Sequence, residues 1–228
     1  LLLRRNEKDF LARSELKYRD KFNNNFSDLK AGIAELNLAV TNIELNASKV
    51  KSLQTHLADY RKKFLELVKL QQKIGLNSTD GEYGTLREMV QNVENKLKSL
   101  DDLQLRADML QLRRNEKDFM LRLDLKYLEK FERNVEIFTN NLNKSHHSEE
   151  IKADISNLME QYYTNFTGFV VHSQEKGLNS KSGLLGSLRN EVHNTEELLK
   201  KLSAELDALI KEKIGNIDSF TLMTNIIG

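Results

Sequence analysis

The sequence has no cysteine, no proline and no tryptophan, and only 10 glycines among its 228 residues. The absence of cysteine excludes disulfides, thiolate zinc sites and cysteine nucleophiles. Turns between short strands depend on glycine and proline, so this chain is a poor candidate for an all-β sandwich or barrel. The 35 basic and 34 acidic side chains nearly cancel, and the basic excess typical of nucleic-acid-binding proteins is missing.

Long hydrophobic runs are missing as well. No stretch reaches 18 consecutive apolar residues, which predicts that this sequence contains no membrane-spanning helix. The first residues lack the basic, apolar and small-residue order of a signal peptide. The chain begins on Leu1 without an initiator Met and ends on an apolar stretch at 220–227. We therefore expect it to be a fragment of a longer protein.

An internal repeat is the most informative feature that is present. Residues 4–10 return unchanged as 113–119, an offset of 109, and residues 75–78 return as 177–180, an offset of 102. The second copy has lost seven residues between the two blocks. Because a heptad deletion preserves helical phase, the intervening segment is predicted to be helical. The repeat covers about 1–100 and 110–202.

The hydrophobic periodicity predicts an all-α fold. Each copy is predicted to form a helix, a second helix, a glycine-rich corner and a third helix. The six helices would form two stacked four-helix bundles, with the long first and fourth helices shared by both. The fourth helix is predicted to follow a break at Asp101–Asp102 and to run to about 142. The fold is predicted to be one bimodular domain, with one module at about 25–125 and the other at about 1–25 plus 125–214.

Charged residues of the repeated block point toward the predicted core. Glu7 and Glu116 lie on the apolar face, flanked by Arg4 and Arg113. A buried charge is costly unless it is paired or bound to a ligand, so two interpretations stay open. The residues form structural Arg–Glu pairs, or the arginines, or their neighbours Arg5 and Arg114, bind a carboxylate through two parallel donors.

Two more pairs of equivalent positions could complete such a site. Tyr60 and Tyr162 face inward, either as core tyrosines or as hydrogen-bond donors to a ligand. Arg87 and Arg189 follow the glycine-rich corners, where they would cap the preceding helix or face the ligand.

Motifs for chemistry are mostly absent. The chain has no metalloprotease helix motif, P-loop or nucleophile elbow, so we expect no enzyme activity, no metal and no cofactor. His56, His172 and His193 form no evident constellation.

The doubled block Leu-x-Leu-Arg-Arg-x-Glu-Lys-Asp-Phe resembles the signature of the helical bimodular sensor domain. So does the block Gly-Leu-x4-Gly-x-x-Gly-x-Leu-Arg-x-x-Val-x-x-x-Glu, clearest at 177–196. The resemblance covers nearly the whole chain and includes the order of the blocks. It implies the periplasmic ligand-binding part of a bacterial methyl-accepting chemotaxis protein, or of a sensor histidine kinase, in the inner membrane.

The resemblance also implies ligands and partners. Small organic acids of two to six carbons would bind, such as acetate or tricarboxylic-acid-cycle intermediates. A membrane-proximal site would use Arg4 or Arg5 with helices four to six, and a distal site Arg113 or Arg114 with helices one to three. The intact receptor would be a homodimer held in the membrane by flanking helices outside this chain. The open alternative is a helical stalk that docks a protein partner and binds no small molecule.

Overall fold

The computed structural model describes residues 2–40 and 47–227, and within these ranges it contains eight α-helices and no strand. The all-α class is therefore confirmed. No helix in the described ranges is long and apolar enough to cross a bilayer. In chain order the helices are α1 (Leu2–Arg13), α2 (Leu16–Val40), α3 (Ala47–Ile74), α4 (Gly81–Leu100), α5 (Leu103–Arg122), α6 (Lys126–Lys144), α7 (Glu149–Lys176) and α8 (Gly183–Ile227).

The chain divides into two compact units. The first unit is Leu1–Leu65 with Leu188–Gly228, and the second unit is Glu66–Ser187. Helices α3 and α8 contribute residues to both units. The predicted modules, 25–125 and 1–25 with 125–214, divide the chain at other positions, and the predicted shared helices were the first and the fourth. The difference arises because each of those two predicted helices is a helical hairpin.

The α5–α6 hairpin shows why the prediction of six helices was wrong. The Asn141 side-chain amide donates to Asp108 Oδ2 at 2.7 Å. In one straight helix these residues would lie about 50 Å apart, at 1.5 Å per residue. The chain instead reverses after α5, where Leu123 takes the left-handed conformation with φ 50°. Its backbone N–H still closes the last helical turn by donating to the Phe119 carbonyl at 2.8 Å.

The first copy of the repeat makes the same reversal between α1 and α2. Ser14 has φ 53° and donates its backbone N–H to the Phe10 carbonyl at 2.7 Å. Neither turn contains glycine or proline, the residues that normally mark such a reversal in a sequence. The apolar line also continues in phase on the other side of each turn, which made two helices look like one.

The predicted break between the third and fourth predicted helices is confirmed. Asp101 takes the left-handed conformation with φ 51°, and the Asp102 carboxylate accepts from the Leu105 backbone N–H at 3.0 Å. Such an N-cap typically stabilises a helix by about 1 kcal/mol. The glycine-rich corner also breaks the helix as predicted. Gly81 needs φ 53°, and a Cβ there would collide with the Lys73 carbonyl at the end of α3.

Each unit has an aromatic cluster in its core, and the two clusters occupy equivalent positions. In the first unit the Phe22 ring lies 4.2 Å from the Phe64 ring and 5.3 Å from the Tyr60 ring. In the second unit the Phe131 ring lies 4.3 Å from the Phe166 ring and 5.2 Å from the Tyr162 ring. Burying one such side chain contributes about 1.5–3 kcal/mol. The clusters therefore hold both tyrosines at fixed positions beside the charged residues of the repeated block.

Candidate functional site

A buried carboxylate and a tyrosine form the centre of each unit. The Tyr60 hydroxyl donates to Glu7 Oε2 at 2.6 Å, and the Tyr162 hydroxyl donates to Glu116 Oε2 at 2.6 Å. Glu7 is 2% exposed and Glu116 is 1% exposed. A buried carboxylate without a donor would cost several kcal/mol, so these hydrogen bonds are what permit the glutamates to face the core.

Both tyrosines are held in their protonated form. Burial raises the pKa of Tyr60, and the adjacent Glu7 carboxylate raises that pKa further. Burial and the Glu116 carboxylate raise the pKa of Tyr162 in the same way, well above its ordinary value. Each hydroxyl is therefore a permanent donor at neutral pH. Tyr60 and Tyr162 face inward as predicted, and each donates to a glutamate of the chain itself.

The remaining carboxylate oxygens are bound by cations, and here the two units differ. In the first unit Arg4, one turn earlier on α1, bonds to Glu7 Oε1. In the second unit Lys117 Nζ lies 2.7 Å from Glu116 Oε1. The structural Arg–Glu pair is thus found for Glu7, whereas the partner of Glu116 is a lysine.

Arg113 pairs with a different helix. Its guanidinium donates to Glu94 Oε1 on α4 at 2.7 Å. Glu94 is equivalent in the repeat to Glu196, which ends the second block of the resemblance. Arg113 and Glu94 are both partly exposed, so their ion pair is worth about 1 kcal/mol or less. Arg113 can therefore exchange its partner at small cost.

The second unit contains a cavity of about 590 Å³ beside this ion pair. Three cations and two carboxylates line it, and Arg113–Glu94 and Lys117–Glu116 are paired. Arg87 is exposed and forms no ion pair within the described residues. The cavity therefore carries one uncompensated positive charge. Its lining is Asn77, Ser78, Tyr83, Arg87, Val90, Gln91, Glu94, Arg113, Glu116, Lys117 and Met120.

The first unit contains a cavity of about 530 Å³ with another lining. It reaches Tyr60 and Arg4, and most of its walls are apolar. Asp28 and Glu196 lie on it, and neither forms an ion pair with any residue that the structure describes. The lining is Leu2, Leu3, Arg4, Asn25, Asp28, Leu29, Leu57, Tyr60, Val192, Thr195, Glu196 and Leu199.

Three of the other predicted arginines lie on the surface. The Arg5 side chain is 78% exposed and the Arg114 side chain 75% exposed, each near an aspartate four residues later at about 4 Å. Arg189 is exposed and lines neither cavity. The capping alternative for Arg87 and Arg189 is not realised, because neither donates to a carbonyl in the described part of the chain. Of these four arginines, Arg87 lines the second-unit cavity of about 590 Å³, and Arg114 lines a separate cavity of about 500 Å³ that includes neither Arg87 nor Arg113.

The predicted grouping of each arginine with other helices agrees with the structure in part. Arg4 was expected beside the predicted helices four to six, and it shares a cavity with α8, the predicted sixth helix, but also with α3, the predicted second. Arg113 was expected beside the predicted helices one to three, and it pairs with Glu94 of α4, the predicted third helix, but also lies near Tyr162 of α7, the predicted fifth. Each unit combines the hairpin and following helix of one repeat copy with the last helix of the other copy. The hairpins explain this arrangement. Each hairpin reverses the chain direction, so both of its helices lie in the same unit.

Two histidine clusters were missed. His172 Nδ1 lies 2.5 Å from Glu82 Oε1, and its Nε2 lies 2.6 Å from Lys73 Nζ. His56 Nδ1 lies 3.0 Å from Glu191 Oε2. His56 and His172 therefore each contact an acidic residue that the sequence did not indicate, whereas no such contact is found for His193 among the described residues. In each of these three contacts the partner lies 90 or more residues away in the sequence, so no local spacing signalled it. Among described residues, no group of three or more His, Asp or Glu could hold a metal ion.

Glu94 and Lys117 were also missed as partners. Glu94 could have been found, because the second block of the repeat ends on a glutamate in both copies.

Comparison with known proteins did not assign the chain to a family. No family model, no curated protein and no solved structure matches the chain.

Proposed function

We propose that this chain is the extracytoplasmic sensor domain of a bacterial transmembrane chemoreceptor and that its second unit binds a small organic acid. The uncompensated charge of Arg87 in the second-unit cavity is the observation that carries the proposal. Arg113 and Lys117 lie on the same cavity and can add donors to a bound carboxylate. The resemblance of the repeated blocks supports the receptor assignment.

The proposed ligand is a carboxylate of two to six carbons, such as acetate or a tricarboxylic-acid-cycle acid. The cavity volume lies in the range of small-molecule sites, about 300–1,000 Å³. One carboxylate would accept from Arg87 on α4 and from Arg113 on α5. This carboxylate would compete with Glu94 for Arg113. No cofactor or metal is part of this binding mode.

Signalling would follow from a bridge between α4 and α5. A ligand needs only a different affinity for two packings of the helices, typically 1–3 kcal/mol of coupling. In the proposed arrangement the two units are stacked four-helix bundles in a periplasmic homodimer. Helix α8, which belongs to both units, would carry a small displacement toward a flanking membrane helix. The output module would be a chemoreceptor signalling domain or a histidine kinase.

The test is titration calorimetry with a panel of two- to six-carbon carboxylates. We expect Arg87→Ala and Arg113→Ala to weaken binding at least tenfold, because each removes a charge-assisted donor. Arg114→Ala is the matched control, since Arg114 is adjacent to Arg113 but exposed, and it should bind like the wild type. The absence of heat from any acid, in a protein that melts cooperatively, would contradict the proposal.

One observation favours a second candidate function. Arg4 and Arg113 are both already paired with glutamates of the chain. Fully paired arginines suit a helical stalk that docks a protein partner without a small ligand. Carboxylate binding that depends on Arg87 would decide against the stalk.

A further inference from the structure

The first-unit cavity differs from the second-unit cavity in position as well as in chemistry, since only three of its lining residues, Arg4, Val192 and Glu196, have repeat equivalents that line the other cavity. It extends into the bundle beside Leu29, which is equivalent to Phe138 of the second copy. Phe138 is fully buried, and a leucine at that position leaves the space of a ring unfilled. The neighbouring wall is apolar and comes from Leu3, Leu57 and Val192.

The cavity also contains a buried polar atom without a partner. Thr195 is 6% exposed, and its hydroxyl forms no hydrogen bond with the described residues. The equivalent residue of the second unit is Val93, which has nearly the same shape and no polar atom. A buried hydroxyl that lacks a partner is costly. Thr195 lines the cavity, and a change of its χ1 rotamer would turn this hydroxyl toward a ligand there.

The charges on the first-unit cavity favour a cation. Arg4 is bound to Glu7, whereas Asp28 and Glu196 have no cationic partner in the described part of the chain. One cation and two carboxylates on the lining leave a net charge of −1. The second-unit cavity, with three cations and two carboxylates, has a net charge of +1.

We propose that the first-unit cavity binds a small amine, with its apolar body between α1, α2, α3 and α8 and its ammonium group at Glu196 and Thr195. An ammonium group has three donors, which match the two unpaired carboxylates and the hydroxyl. The apolar body replaces the ring that Phe138 supplies in the other unit. The two copies of the repeat would then select ligands of opposite charge. This proposal does not depend on carboxylate binding by the second unit.

The experiment compares three probes with the same six-carbon chain, namely hexylamine, hexanol and hexanoate, by titration calorimetry at neutral pH. We expect hexylamine to bind most tightly and hexanol more weakly. Leu29→Phe, which introduces the residue of the other copy, should abolish hexylamine binding while the protein melts at the wild-type temperature or above. Thr195→Val, the second exchange between copies, should weaken hexylamine binding several-fold.

Glu196→Gln should weaken hexylamine binding about three- to five-fold, the range of a partly exposed ion pair. Glu197→Gln is the matched control, because Glu197, like Glu196, is exposed and unpaired among the described residues, but it lies off the cavity lining. The proposal is overturned if hexanoate binds and Leu29→Phe removes that binding, or if no probe binds. Loss of carboxylate binding in Arg87→Ala tests the second unit alone, so the two proposals fail separately.

Discussion

The Tyr162 hydroxyl lies 2.6 Å from Glu116 Oε2, and it holds this carboxylate inside the second unit. The same bond between Tyr60 and Glu7 has the same length in the first unit. The duplication has therefore kept a buried tyrosine–glutamate pair in both copies. What differs is the cation on the other carboxylate oxygen, Arg4 in one unit and Lys117 in the other. The pair is a shared structural centre, and the surrounding cations and apolar residues set the chemistry of each cavity.

Tyr162→Phe is expected to lower the free energy of unfolding by about 1–3 kcal/mol, because Glu116 Oε2 would stay buried without a donor. Tyr60→Phe should have a similar effect on the first unit. Tyr163→Phe is the control, since its hydroxyl makes a longer, partly exposed bond of 3.4 Å to Glu132. It should cost less than about 0.5 kcal/mol. Urea unfolding monitored by circular dichroism measures all three. Equal effects of Tyr162→Phe and Tyr163→Phe would contradict the structural role of the pair.

The hairpin between α5 and α6 can be tested by cross-linking, because the chain has no cysteine of its own. We expect the double variant Asp108→Cys, Asn141→Cys to form an intramolecular disulfide under mild oxidation, since these side chains are in contact at 2.7 Å. One continuous helix would separate them by about 50 Å and allow no bridge. Thiol titration after oxidation gives the result. The single variants are controls for intermolecular disulfides.

The class of the fold could be predicted from the sequence, whereas the path of the chain could not. Periodic apolar residues indicated helices, and Asp101–Asp102 marked a break because an aspartate can cap the next helix. The turns at Ser14 and Leu123 carry no such signal. A reversal of only two or three residues that keeps the apolar phase looks like an uninterrupted helix, so two hairpins were predicted as two long helices.

The residues of the candidate site could be predicted from the sequence, but their partners could not. Inward-facing Glu7, Glu116, Tyr60 and Tyr162 followed from helical phase. Their mutual hydrogen bonds and the pairing of Arg113 with Glu94 depend on which helices meet. Helical phase contains no information on that point, since it describes one helix at a time.

The pH dependence of stability should contain a contribution from Glu191. Burial alone would raise the pKa of this carboxyl, but hydrogen bonds from Lys63 and His56 outweigh burial and lower it. A carboxyl with a lowered pKa in the folded state stabilises the fold above its unfolded pKa, about 4.3, and loses that contribution as the pH falls through the folded value.

Glu191→Gln should therefore reduce the unfolding free energy at pH 7 and flatten its decline below about pH 5. Thermal unfolding at a series of pH values measures both effects. Glu197→Gln, on the same helix but exposed and without a described ion-pair partner, should leave the curve unchanged. A parallel shift of the whole Glu191→Gln curve, with its slope kept, would show that this carboxyl does not titrate with folding.

The pairing of Arg113 with Glu94 makes a further prediction about the second-unit cavity. Glu94 competes with any bound carboxylate for the Arg113 guanidinium, at a distance of 2.7 Å. Glu94→Gln should therefore release Arg113 and tighten carboxylate binding by about three- to ten-fold. That factor corresponds to the roughly 1 kcal/mol that a partly exposed ion pair contributes. Calorimetry with the acid that binds the wild type most tightly measures the change.

Glu88→Gln is the control for this experiment, because Glu88 is exposed on α4 next to Arg87 and lies off the cavity lining. It removes the same charge from the same helix, so a general change in the electrostatic field would affect both variants alike. If Glu94→Gln tightens binding and Glu88→Gln does not, Arg113 donates to the ligand, and in the wild type Glu94 competes with the ligand for that donor. Weaker binding in Glu94→Gln would mean that the ion pair positions Arg113, and that the ligand uses Arg87 without displacing Glu94.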